Sequence, residues 1–262
     1  MAFRSWNNQH LAKFNSADSS EFLDLYEDAR DAKILSEYDK PSNKNFAPSS
    51  FRCRRIQWFR LRGVQPDRPE TADVVLDFTA TVGTALHRMI QEILQYKLGD
   101  AWVDVGKYIE QNVPNSELYT TTSSEDSLET LVTLSDPPVR FACDGIINWK
   151  GENILLEIKS SEFSSWSDLT DPKPQHIDQT KCYCALLNLN RVFFLYIDRQ
   201  YGGVKCYDIS YPSDNRDTIL QEMKEIQDLA EYHICPDPLP KGDSWCSASH
   251  CKYYKKCAEY GR

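Results

Sequence analysis

Two acids and a lysine stand close together near the middle of the chain: Asp144 in Phe141-Ala142-Cys143-Asp144-Gly145, then Glu157-Ile158-Lys159. The turn-forming Lys150-Gly151-Glu152-Asn153 lies between them, so the segment reads as a β-hairpin. Side chains alternate along a strand, which puts Glu157 and Lys159 on one face and Ile158 on the other. A loop with an even residue count pairs even positions with odd ones. Asp144 then falls opposite Glu157 or Lys159 and points to the same face. Two carboxylates offer hard oxygen donors of the kind that suit Mg²⁺ or Mn²⁺. The plainer reading is a solvated face with a cross-strand ion pair. Against it, Ile154-Leu155-Leu156 and the residues around Asp144 are apolar on both faces, and charges in a buried hairpin need a reason.

A second group lies in the tail. Cys246, Cys251 and Cys257 form a C-x4-C-x5-C pattern in a polar stretch, where packing does not explain them. A tetrahedral ion or a cubane cluster needs four ligands. The fourth must come from elsewhere in the chain, with Cys235 or His250 as substitutes for a tail ligand. Both a [4Fe–4S] cluster and zinc remain open. Cys143, Cys182, Cys184 and Cys206 sit in apolar stretches and read as core filler. With nine cysteines in a chain of 262 residues, and no apolar leader in Met1 to Asn8, a disulfide scaffold is not expected. Secretion is not expected either, which leaves the cytoplasm.

The stretch from Phe51 to Arg62 carries Arg52, Arg54, Arg55, Arg60 and Arg62 without an acid, interleaved with Phe51, Trp58 and Phe59. Arginines engage phosphates and aromatic rings stack on unpaired bases, so this patch is the candidate DNA-binding surface. The competing reading is an amphipathic helix with its rings in the core and its arginines paired to acids. The net charge of −9 argues against a protein that coats nucleic acid non-specifically. No apolar run is long enough to span a membrane.

The elements that must position these groups follow from periodicity and turn residues. Helices are expected over 21–36, with Phe22, Leu23, Tyr26 and Ala29 on one face, from a Ser49-Ser50 cap to Leu61, and over 79–98, 176–189 and 217–232. Strands are expected over 128–134, 139–148, 154–160, 191–198 and 204–210. Residues 1–16 read as unpatterned, 37–48 as a loop, and 114–127 as a loop or insertion. The order is helices, then βββαββα, then a cysteine-bearing tail. That fits an α/β (α+β) fold with a mixed central sheet flanked by helices. Residues 1–48 form an extension with one helix. Residues 49–262 form a single domain: an arginine helix (49–63), a core (75–235) and a cysteine-rich tail (236–262).

Asp144 followed by Glu157-Ile158-Lys159 resembles the signature of the PD-(D/E)XK nucleases. Gly83-Thr84-Ala85-Leu86-His87 resembles the G-x-x-x-H element of their RecB-like branch, and Gln179 with Tyr183 resembles its Q-x-x-x-Y helix. The lone Cys53 followed by three late cysteines is similar to Cas4-like iron–sulfur nucleases, although the first tail gap here is x4 rather than x2. The resemblance covers about residues 49–258. It implies a restriction-endonuclease-like core and a metal-dependent DNA exonuclease acting on single-stranded ends, 5′→3′. The setting it implies is recombination, repair or CRISPR adaptation, with proteins of those pathways as partners. It also implies metal ligation by His87, Asp144, Glu157 and the Ile158 carbonyl, catalysis by Lys159, and strand positioning by Gln179 and Tyr183. A [4Fe–4S] cluster would sit on Cys53, Cys246, Cys251 and Cys257 and pin the arginine helix to the tail. The alternatives are a silent DNA-binding scaffold and a structural zinc protein.

Overall fold

The computed structural model of the chain describes residues 17–123, 128–240 and 242–261. The expectation for residues 1–16 lies outside them. The chain divides into two compact units, Met1–Lys40 with Arg68–Phe78, and Pro41–Asp67 with Thr79–Arg262. In the first, helix α1 spans Ala17–Ser36. Its Phe22, Leu23 and Tyr26, expected as a packed face, are exposed.

The second unit carries every candidate site residue. Its central sheet has the order β1-β5-β6-β7-β8: Trp102–Val103, Gly145–Trp149, Glu152–Ser161, Arg191–Asp198 and Val204–Ser210. The β6/β7 pair is parallel and the other pairs are antiparallel. Strand β6 is buried through its middle, from Ile154 to Ile158, as befits the centre of a sheet covered on both faces. On one face Leu156, Ile158 and Ile197 pack with Ile90 of α3, Val74–Leu98. On the other, Leu155, Phe194 and Tyr196 join the main core with α6 (Pro174–Leu187) and α7 (Asn215–Glu231). A second sheet, β2-β3-β4, holds Tyr119–Ser123, Thr130–Leu134 and Val139–Cys143.

Several expectations change. The strand expected over 139–148 is broken at Asp144: β4 pairs with β3 in the small sheet and β5 with β6 in the large one. Continuous apolar patterning hides such a switch, because both halves are buried. The hairpin turn is the two-residue Lys150-Gly151, both with positive φ (54° and 90°), the mirror-image turn whose twist suits antiparallel strands. The expected loop 114–127 contains β2, whose threonines pair with β3; residues 124–127 lie outside the described ones. Ser49-Ser50 does not cap a helix. Pro48–Ser50 forms a 3-10 turn, and α2 runs Arg54–Leu61 with Cys53 at its N-cap. The short β1, α4 (Val105–Asn112), α5 (Phe163–Ser167) and α8 (Tyr254–Glu259) are additions. Cys143, Cys182 and Cys184 are buried as expected, whereas Cys206 on the edge strand β8 is exposed. No helix among the described residues is long and apolar enough to cross a membrane.

Candidate active site

The break at Asp144 builds the site. Asp144 leaves the small sheet one residue after Cys143 and enters the large one at Gly145, so neither ladder claims its side chain. Its Oδ2 accepts the Ile158 backbone N–H at 2.7 Å. Its Oδ1 lies 3.2 Å from His87 Nδ1, and its carbonyl accepts from Gln91 Nε2 at 2.7 Å. His87 and Gln91 are one helical turn apart on α3, so a single helix face grips both the side chain and the main chain of Asp144. Gly145 is required by what covers it: a Cβ there would meet the Trp102 ring at 2.8 Å.

Glu129 completes the group, and sequence reasoning missed it. Its carboxylate lies 3.4 Å from His87 Nδ1. His87, Glu129 and Asp144 offer ligand atoms that all lie within 4.8 Å of one another. The β3/β4 register, Thr130 opposite Cys143, carries Glu129 across to Asp144. A nitrogen and two carboxylates are a donor set that accepts a small divalent cation.

Electrostatics support that fit. Burial alone depresses the His87 imidazolium, yet the Asp144 charge and the hydrogen bonds that His87 donates to Asp144 and Glu129 override it and lift its pKa to about 10. The two carboxylates thus favour positive charge at this point of the site. Asp144 is held below its ordinary range: burial opposes ionisation, but His87, Lys159 and the Ile158 N–H outweigh it. Glu157 is pushed up to about 7 by burial, with Lys159 countering and Asp144 adding to the rise.

Glu157 does not reach the His87 group. Its carboxylate pairs with Lys159 Nζ at 2.5 Å. Burial works against the Lys159 charge, but Glu157 and Asp144 more than restore it, so the ammonium is kept. Lys159 also donates to Gln179 Oε1 at 3.3 Å, and Gln179 Nε2 donates to the Tyr183 hydroxyl at 2.8 Å. Gln179 and Tyr183 are one turn apart on α6, with Tyr183 stacked on Phe141 at 4.6 Å between centroids. Tyr183 is only 4% exposed, and its hydroxyl contacts Gln179, which in turn meets Lys159.

The arginine patch is largely spent within the chain. Arg55 is 3% exposed and bonds the Pro236 carbonyl, which removes it from the DNA-binding set. Arg52 pairs with Asp178 and Asp243, and Arg54 with Glu225. Arg60 bonds the Asn45 carbonyl, and Arg62 bonds the Ala230 carbonyl and the His233 ring. Trp58 and Phe59 are buried, with Phe59 stacked on Tyr253 and Trp58 edge-on to Tyr260 of the tail. The four proposed cluster ligands do come together: Cys53, Cys246, Cys251 and Cys257 line one narrow cavity with Arg55 and Trp245. Burial pushes the Cys53 and Cys251 thiols up, and neighbouring thiols of the group push further. Cys235 and His250 do not line it; Cys235 faces the Pro236 carbonyl, and the His250 ring contacts the Ser247 and Ser249 hydroxyls.

No protein-family model and no curated protein matches the chain. Among solved structures it resembles SSO0001, with a TM-score of 0.50 and 18% identity over 87% of this chain and 93% of that one. The alkaline exonuclease LHK-Exo from Laribacter hongkongensis gives 0.48 and 12% over 87% and 98%. The complex of LHK-Exo with dAMP gives 0.46 and 14% over 78% and 94%. The likeness to SSO0001 is one of fold: a mixed central sheet flanked by helices.

Proposed function

We propose that the protein is a metal-dependent deoxyribonuclease that hydrolyses phosphodiester bonds. The observation that carries this is the convergence of His87, Glu129 and Asp144 beside a buried Glu157–Lys159 pair, at the point where the chain changes sheets. Bound Mg²⁺ or Mn²⁺ supplies Lewis-acid polarisation of the phosphate and activates water. Asp144, His87 and Glu129 would hold the ion, the Ile158 carbonyl would add a ligand, and Glu157 would join only by turning from its pair with Lys159. Lys159 keeps its proton, so it orients the attacking water and stabilises charge developing on the phosphate; it is not the base that deprotonates water. Gln179 fixes the Lys159 ammonium, and Tyr183 fixes Gln179.

The finer reading is an exonuclease on single-stranded DNA ends, 5′→3′, in recombination, repair or CRISPR adaptation. A reducing cytoplasm, in a bacterial, archaeal or virus-infected cell, suits its free thiols. Digestion of end-labelled single- and double-stranded DNA with Mg²⁺ and with Mn²⁺ tests it. Mononucleotides released from single-stranded 5′ ends are expected. A chain that binds DNA but never cuts it with either ion is a scaffold module, and the proposal fails.

We further infer a [4Fe–4S] cluster on Cys53, Cys246, Cys251 and Cys257, in a structural role. Among the described residues, the His87 group is the single set of three or more His, Cys, Asp or Glu whose ligand atoms lie within 4.8 Å of one another. The sulfurs lining the cavity are therefore spread more widely than a tetrahedral zinc, with Zn–S of about 2.3 Å and sulfurs roughly 3.8 Å apart, would draw them. A cubane spans the wider spacing. Iron and a brown colour in anaerobically purified protein are expected; colourless protein holding zinc overturns the assignment.

A further inference from the structure

We propose that Arg55 is the built-in counter-charge of the cysteine site: its guanidinium donates to the Cys257 thiolate and thereby raises the reduction potential of the cluster held there. The proposal rests on the cluster reading above and concerns a residue outside the ligand set.

Arg55 stands two residues after Cys53, in the first turn of α2, and is 3% exposed. Its Nε donates to the Pro236 carbonyl at 2.8 Å. Its Nη1 lies 3.3 Å from both the Cys257 carbonyl and the Cys257 sulfur. Among the described residues no carboxylate pairs with it. That separates it from its neighbours. Arg52 and Arg54 have acidic partners, and Arg60 and Arg62 are only partly buried. A buried guanidinium facing only carbonyls and a sulfur is poorly compensated. A neutral thiol is a weak acceptor, whereas a metal-bound cysteine is a thiolate carrying negative charge. Arg55 is matched only when Cys257 is ligated.

The charge count gives the direction. Four thiolates around a cubane core of charge +2 carry a net −2, and uptake of one electron takes this to −3. A buried cation donating to one ligand favours the more negative state, so it raises the potential. The same bond opposes loss of Cys257 from the iron, so it slows cluster breakdown.

The test uses the full chain purified anaerobically: wild type, Arg55→Gln, Arg55→Lys and, as a neighbouring control, Arg54→Gln. Iron and acid-labile sulfide per chain are measured first. The potential is then read by mediated titration against dithionite, followed by the spin-resonance signal of the reduced cluster. Iron loss in air is timed separately. Arg55→Gln is expected to titrate at lower potential and to shed iron about tenfold faster, the factor that a charge-assisted hydrogen bond of ordinary strength represents. Arg55→Lys keeps the charge but cannot serve Pro236 and Cys257 together, so it falls between Arg55→Gln and wild type; it decides the matter if the glutamine variant does not fold. Arg54→Gln matches wild type. An iron-loaded Arg55 variant with unchanged potential and unchanged iron loss overturns the role of Arg55. A wild type without iron overturns the cluster reading itself.

Discussion

At the scale of single residues, Asp144 organises the site, and its neighbours divide the work around it. Lys159→Ala should leave fold and DNA binding intact while lowering cleavage by roughly 10²–10³, the usual cost of losing one preorganised electrostatic group. Single-turnover rates at saturating Mn²⁺ check this, and activity within a few-fold of wild type removes Lys159 from the mechanism. Glu129→Gln should weaken Mn²⁺ binding about tenfold, since a ligating carboxylate in a small donor set contributes on the order of one such factor. Calorimetric titration of the folded variant reads it, and an unchanged affinity takes Glu129 out of the ligand set. Asp144, Glu157 and Lys159 were legible because their alternation in an apolar hairpin is local. Glu129 was not, because one acid in the expected strand 128–134 reads as an ordinary polar position and acquires meaning only from the cross-strand pairing of Thr130 with Cys143.

At the scale of elements, α3, the sheet switch and α6 each present one face to the site. Gly145 follows Asp144 directly beneath the Trp102 ring, where a methyl group would sit 2.8 Å from carbon. Gly145→Ala should destabilise the protein by about 1–3 kcal/mol through overpacking. It should also lower cleavage by shifting Asp144. Thermal melting and cleavage rate together check it, and an unaltered melt means the Trp102 ring gives way. The N-terminal turn of α6 carries an acid-sensitive contact. His176 Nδ1 lies 2.7 Å from the Tyr196 hydroxyl, and burial, with the Lys159 and Lys173 charges adding to it, pulls the imidazole down to about 3. Between that value and the ordinary pKa of 6.5, the unfolded chain binds a proton that the folded chain refuses. The contribution is whole above about 6.5 and is lost as pH falls through that window. The melting temperature should therefore fall less between about pH 7 and pH 5 in His176→Gln than in wild type; equal slopes count against it. The long helices were legible from periodicity and from their stops, such as Gly99 in the left-handed region after α3. The broken strand was not, since burial of both halves erases the alternation that would have marked the change of sheet.

At the scale of the whole molecule, the cysteine site joins segments far apart in sequence. Cys53→Ser should lose iron and colour and melt lower. A cross-link spanning nearly the whole chain constrains the unfolded state by roughly 4–5 kcal/mol by the arithmetic used for disulfides. Cys143→Ser, at a buried position away from that cavity, should keep its iron. Full iron in Cys53→Ser would assign the fourth ligand elsewhere. The cysteine pattern stands out in the sequence because its thiols lie in a polar tail, and the structure brings Cys53, Cys246, Cys251 and Cys257 to one cavity while burying Cys257 in the core. The fate of the arginines was not: a run of cations looks the same in sequence whether it faces phosphate, a carboxylate or a carbonyl. Here Arg54 reaches Glu225 on α7, and Arg55 reaches Pro236 and Cys257 in the tail.

The bond from Arg55 to the Cys257 carbonyl spans 202 residues. During synthesis at about 5–20 residues per second, α2 leaves the ribosome roughly ten to forty seconds before the residue that answers its charge. Through that interval Phe59 lacks Tyr253, Trp58 lacks Tyr260, and the Asp67 carboxylate lacks the Lys255 amide it accepts from. The nascent chain must therefore carry an uncovered, sticky helix until residues 253–260 emerge. A chain stalled short of Tyr253 should be cut by protease within α2, while one that carries residues 253–260 is spared.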